Sequence, residues 1–152
     1  MTTCSLNVYQ FLQQDPQLSL FKDLVDKAGL QAEFTAYDCK TIFAPTNKGL
    51  ILTSPYVLYY LNDPANVSVL RYFLRYHVYG TALTTAKLIS GTGITMANDV
   101  NLGILNALYY NYIPVLIDSI QGRSTITEGN LPAKDNYIHK INALLQPEYV
   151  AG

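Results

Sequence analysis

The segment Thr41-Ile-Phe-Ala-Pro-Thr-Asn47 constrains what this chain can fold into more than any other. Thr41, Ile42 and Phe43 are β-branched or aromatic residues suited to a strand, and Pro45 removes a backbone donor and stops it. Thr46 or Asn47 then offers a side-chain oxygen to cap a following helix. Two later segments carry comparably strong signals. Leu74-Arg-Tyr-His-Val78 sets a Tyr-His pair among apolar residues. Asn136-Tyr-Ile-His-Lys-Ile-Asn-Ala-Leu-Leu-Gln-Pro147 contains a strand candidate, Ile138 to Ile141, ahead of a further proline.

Around these segments the first half reads as helices. Three helix starts pair an N-cap residue with proline at the first helical position: Asp15-Pro16, Ser54-Pro55 and Asp63-Pro64. Leu18, Phe21, Leu24, Val25 and Ala28 recur at helical spacing, and Gly29 supplies a stop. Leu6, Val8, Tyr9 and Leu12 predict a short opening helix, and Val67, Leu70, Phe73 and Leu74 an apolar face running into Tyr76-His77. The second half differs. From Leu88 to Ile117 only Asp99 is charged, and Gly91, Gly93, Gly103, Gly122 and Gly129 punctuate β-rich runs. Ile104 to Ile113, Arg123 to Thr127 and Ala143 to Leu145 are further strand candidates. Four or five short helices flanking a strand at Thr41 to Ala44, then strands, predict a segregated α+β fold. A length of 152 residues suits one domain over 1–152.

Composition excludes several functions. Ten basic against 11 acidic residues give a net charge of -1, which offers no footprint for nucleic acid or an anionic membrane. The longest apolar run, Tyr56 to Leu61, falls far short of the ~18 residues that span a bilayer. Met-Thr-Thr-Cys has neither the basic start nor the apolar core of a signal peptide. Signatures of a nucleophile elbow, a P-loop or a zincin helix are absent, and Gly91-Thr-Gly93 lacks the third glycine of a dinucleotide loop. Cys4, Cys39, His77 and His139 are too dispersed for the close pairs of a structural zinc site, so neither metal nor cofactor is expected. Cys4 and Cys39 read either as free thiols or as a disulfide. Asn66-Val-Ser68 is a glycosylation acceptor by pattern.

Thirteen tyrosines and no tryptophan make a skewed aromatic set. Tyr56, Tyr59 and Tyr60 share one helical face, Tyr72, Tyr76 and Tyr79 follow a similar spacing, and Tyr109, Tyr110 and Tyr112 fall in a strand-like run. Such stripes form core edges, with ring buried and hydroxyl wet, or aromatic recognition surfaces. His77, between Tyr76 and Val78, reads chiefly as a core histidine whose nitrogens bond to backbone.

Taken in order, the three segments resemble the signature of a fasciclin-type (FAS1) domain, spanning residues 41 to 147. Thr41, Phe43, Ala44, Pro45 and Asn47 match its first motif, T-V-F-A-P-T-[ND], and Tyr76-His77 its middle Tyr-His pair. Ile138, His139, Ile141, Leu145 and Pro147 match its last, N-G-x-I-H-x-I-D-x-x-L-x-P. The resemblance implies a FAS1 fold, a β-strand wedge flanked by several short N-terminal-half helices. It implies a non-enzymatic module for cell adhesion or protein interaction, extracellular or at a cell surface (periplasmic in a bacterium), with a protein or matrix partner. Leu74, Tyr76, His77 and Val78 match the family's adhesion-linked segment, and neighbouring Tyr72 and Tyr79 are expected to carry contact area. The alternative is a carrier of an apolar small ligand, a lipid or carotenoid, in a groove lined by Leu88 to Ile117. The family's mostly extracytoplasmic setting favours a Cys4–Cys39 bridge. The chain departs from the pattern at Tyr137, where the family has glycine, and at Asn142, where it has aspartate. Leu131-Pro132 replaces the family's adhesive Asp-Ile pair, so animal-type integrin recognition there is not expected.

Overall fold

A computed structural model describes residues 6–53, 55–88, 93–105, 114–118, 120 and 122–147. Helix α1 (Val8–Gln14) opens on a capping box: Asn7 Oδ1 accepts the Gln10 N–H at 2.8 Å, and Gln10 Oε1 accepts the Asn7 N–H at 3.0 Å. Asp15 caps a 3-10 turn, Pro16–Leu18, which feeds α2 (Ser19–Ala28). Gly29 ends α2 in the left-handed region at φ 70°, which a residue without Cβ adopts freely. Helices α3 (Gln31–Ala36), α4 (Asn47–Leu52) and α5 (Pro55–Asn62) follow, then a second 3-10 turn, Pro64–Asn66, and α6 (Val67–Arg75). Six α-helices among the described residues exceed the four or five expected, because nothing local announced α3. Two proline starts open 3-10 turns instead of α-helices. In each the aspartate binds the N–H two residues on, Gln17 or Ala65, and tightens the first turn.

Among the described residues seven strands form one sheet: β1 (Thr41–Pro45), β2 (Val78–Tyr79), β3 (Ile94–Thr95), β4 (Asn101–Leu105), β5 (Val115–Ile117), β6 (Arg123–Ala133) and β7 (Asn136–Ile141). Their order is β2-β1-β7-β6-β5-β4-β3. β1 and β7 pair in parallel, with Phe43 opposite His139, and the other pairs are antiparallel. The two outer strands approach each other: Tyr79 bridges to Met96, and the Ala97 N–H donates to the Val78 carbonyl at 2.8 Å. The strand wedge therefore curls until its edges meet, which leaves fewer unpaired edge groups. β6 runs past the expected Thr127 to Ala133, with register shifts on either side of Glu128. Ala143 to Leu145 is not a strand: Thr53 Oγ1 takes the Leu144 N–H and His77 Nε2 the Leu145 N–H. Of the candidate Ile104 to Ile113, β4 covers the beginning, and residues 106–113 lie outside the described residues.

The pleat of β1 divides the core. Ile42 and Ala44 face a cluster built with the helices through Val8, Phe21, Val25 and Phe73. Phe43 faces a second cluster inside the curled sheet, with Met96, Leu102, Ile104 and Leu116. A buried Lys140 ties β7 to β6 and to the turn after α1, its ammonium 2.7 Å from Asp15 and 3.0 Å from Glu128.

Candidate functional site

All three sequence motifs meet at one junction. The Phe43 N–H donates to the His77 carbonyl at 2.8 Å, and the Thr46 N–H donates to Ile141 O at 3.0 Å. Thr41 Oγ1 donates to Thr81 O and accepts the Leu83 N–H. Thr46 caps α4, whereas Asn47 reaches back to accept the Leu20 N–H at the start of α2. Where α4 crosses the last motif, a Cβ on Gly49 would lie 2.6 Å from the Asn142 carbonyl carbon. Pro147 and Leu145 are buried at the end of the same motif.

Both histidines hold that junction together. His77 Nδ1–H donates to Phe73 O at 2.8 Å, and its Nε2 accepts the Leu145 N–H at 3.0 Å. Full burial pushes its pKa down to about 4. His139 adopts the opposite tautomer: Nε2–H donates to Leu83 O at 2.7 Å, and Nδ1 accepts the Asn130 N–H at 2.9 Å. Burial lowers its pKa as well. With every ring nitrogen committed to backbone, both histidines act as fixed cross-links.

The expected contact residues are divided by this packing. Leu74, Tyr76, His77 and Val78 are buried, and Tyr76 sends its hydroxyl to Asn101 O at 2.6 Å. Tyr72 and Tyr79 are half-buried, one against each core cluster. A partner would read the Tyr-His segment only after the region opened. Tyr137 needs no tight turn, because it lies within β7; the left-handed residue is Lys134, at φ 52°. Asn142 Oδ1 accepts the Thr125 N–H at 2.9 Å, a neutral bond in the aspartate's place. Asn66 is half-buried and its carboxamide donates to Tyr60 O at 2.9 Å, a bond that glycosylation would displace. Cys39 is exposed, while Cys4 lies outside the described residues.

The groove expected along Leu88 to Ile117 is core where it is described. Leu88, Ile94, Met96, Leu102, Ile104 and Leu116 all point into the second cluster, because the sheet curls around them. Residues 89–92 and 106–113, with Tyr109, Tyr110 and Tyr112, lie outside the described residues.

Apolar surface emerges instead on α4 and α5. Ile51 is 69% exposed, Leu52 74%, Tyr56 86% and Tyr59 83%. Tyr60, on the other flank of α5, packs against the core. Beside this ledge, between α2 and α4–α5, lies a cleft of about 490 Å³. Leu20, Leu24, Leu50 and Leu58 line it, with Asp23, Lys27 and Asn62 also on its wall. One sequence signal pointed here: Gly49 to Asn62 contains no charged residue. Among the described residues no three His, Cys, Asp or Glu side chains converge as a metal site, and no helix is long and apolar enough to cross a membrane.

A seven-stranded curled sheet with a parallel β1–β7 pair, buttressed by short helices and pinned by two backbone-bonded histidines, defines the class of domain. The family model of the fasciclin domain matches residues 16–147, and the chain belongs to that family. Among solved structures it is similar to a FAS1 domain pair from the insect cell adhesion molecule Fasciclin I, with a TM-score of 0.75. That likeness covers 93% of this chain and 51% of the other at 16% identity, so it is one of fold, and this chain spans about half the other's length. No curated protein matches it in sequence.

Proposed function

We propose that this chain is a non-enzymatic interaction module of the fasciclin type. Its role is cell adhesion, in an extracellular, cell-surface or periplasmic setting, and a protein or matrix partner docks on the α4–α5 ledge. The observation that carries this is the cluster of four large apolar side chains held in water on an uncharged stretch. Leaving such side chains in water forgoes roughly 1.5–3 kcal/mol of burial each, and a contiguous patch of this kind marks a binding surface. Committed histidine nitrogens support a binding role over general acid–base chemistry. The similar insect protein is a cell adhesion molecule, which fits. In this reading Tyr76 and His77 preserve the shape that presents the ledge, and exposed tyrosines supply contact.

The test couples the chain to beads and counts adherent cells or bound matrix protein. A Tyr56→Ser, Tyr59→Ser double variant is expected to lose most of the binding at an unchanged melting temperature. Undiminished binding would rule out the ledge. A second reading rests on the leucine-lined cleft, whose size suits a small apolar ligand. Native mass spectrometry of the purified chain separates the two: a lipid or carotenoid adduct favours the carrier, bare protein the adhesion module.

A further inference from the structure

We propose that the cleft between α2 and α4–α5 holds a single-chain zwitterionic phospholipid, its alkyl chain on the leucines and its head-group ammonium and phosphate against Asp23 and Lys27. This rests on the carrier reading of the cleft and names the ligand. Leu58, which lines the cleft, lies about 160° round α5 from Tyr56, so the site is separate from the exposed tyrosine face.

The walls of the cleft are graded from apolar to polar. Near the start of α2, Asn47 brings α4 alongside by accepting the Leu20 N–H at 2.9 Å, and Leu20, Leu24, Leu50 and Leu58 supply the lining. Near the end of α2, Lys27 donates to Asn62 Oδ1 of α5. Leu24 and Leu50 are buried, whereas Asp23 and Lys27 are exposed, so the apolar lining lies deeper than the charges. A sheltered apolar floor under a wet polar rim matches an amphiphile. Its volume of about 490 Å³ has room for one alkyl chain.

The charges choose the head group. Asp23 and Lys27 stand four residues apart on α2, a spacing at which opposite charges ordinarily pair. Here they do not. Lys27 makes no ion pair among the described residues, and its ammonium turns across the cleft to the neutral carboxamide of Asn62. Asp23 has only Lys22, at 4.0 Å, and Lys22 is held by Asp26 at 2.7 Å. The rim therefore presents one carboxylate and one ammonium about a helical turn apart, neither with a close ionic partner. A fatty-acid carboxylate drawn to Lys27 would also meet Asp23, and a cationic amphiphile drawn to Asp23 would meet Lys27. An uncharged head group would engage neither charge. A head group carrying both an ammonium and a phosphate answers both at once, through charge-assisted hydrogen bonds.

The test is isothermal titration of the full chain with dodecanoyl lysolipids kept below their micelle concentrations. Lysophosphatidylethanolamine is expected to bind at least about 3-fold more tightly than lysophosphatidylglycerol, whose head group has no ammonium. Asp23→Asn should erase that preference, and Lys27→Gln should weaken both lipids. Both positions are exposed, so the melting temperature should not move. Leu20→Gln, at a position already partly in solvent, should weaken every lipid alike. Absence of binding by monomeric lysophosphatidylethanolamine overturns the proposal, as does a preference that Asp23→Asn leaves intact. Phosphoethanolamine binding as tightly as the lysolipid would also overturn it, because the chain would then contribute nothing. Dodecanoate or a carotenoid bound in a manner sensitive to Leu20→Gln, with no preference for the zwitterion, would sink this ligand and leave the carrier reading standing. Failure of every apolar ligand would sink both.

Discussion

His77 accepts the backbone N–H of Leu145 through Nε2 at 3.0 Å, joining residues 68 positions apart. Because Nδ1–H is spent on Phe73 O, the ring holds the end of α6 against the segment after β7 in a single neutral tautomer.

Removing the ring should therefore destabilise without touching the ledge. His77→Ala takes the acceptor from the Leu145 N–H in a dry site and removes one of the bonds to the Phe73 carbonyl, which keeps the Tyr76 N–H. A loss of at least about 1–3 kcal/mol is expected in urea melts. Binding measured well below the melting temperature should be retained. Unchanged stability with abolished binding would show that His77 is itself a contact residue.

Acid should act on the same bond. The folded pKa of His77, about 4, lies below its ordinary value of 6.5, so the unfolded chain takes up a proton first. The stabilising contribution is complete above pH 6.5 and is lost progressively down to about 4, amounting to about 3 kcal/mol. His139 is shifted in the same direction and adds to the loss. Glu33, held below its ordinary range chiefly by its bonds to Arg75, contributes only at lower pH. Asp118, pushed up by burial, opposes the trend there. Urea melts at pH 7.5 and 5 decide the matter, and equal stability at the two would contradict the neutral cross-link.

Gly49 tests the approach of the first motif to the last. Gly49→Ala drives a methyl into the Asn142 backbone, which cannot yield as a side-chain tip would. A cost of about 1–3 kcal/mol is expected. Gly80→Ala, with nothing within 4 Å of the new methyl, is the control and should stay within about 0.5 kcal/mol. Equal effects at the two sites would mean that α4 and Asn142 are not in contact.

The cysteine pairing has a direct assay. If Cys4 and Cys39 are bridged, as the family's setting leads us to propose, protein denatured without reductant shows no reactive thiol. Two reactive thiols would exclude the bridge. In native protein an unbridged Cys39 would react slowly, because the Asp38 carboxylate beside it raises its pKa.

Much of the fold was legible in local chemistry. The capping aspartates Asp15 and Asp63, the stop at Gly29 and the strand before Pro45 each depend on residues a few positions apart, and each stands where expected. The core face of α6 was legible too, because Leu70, Phe73 and Leu74 share it while charged Arg71 and Arg75 lie off it. α5 allowed no such reading. It is apolar or tyrosine nearly all round, so its periodicity names no buried side, and only packing against α4 and α6 turned Tyr60 inward and left Tyr56 and Tyr59 in water.

By itself the sequence determined the family, the order of helices before strands and the caps and stops, because these rest on short-range bonding and on motif residues in a given order. Tertiary structure alone decided that β1 and β7 lie side by side in parallel, that Asn47 accepts an N–H at the start of α2, far earlier in the chain, and which of the α5 tyrosines face out. Each of those outcomes depends on which distant segment arrives opposite a residue, and apolar spacing along one strand or helix does not encode the neighbour.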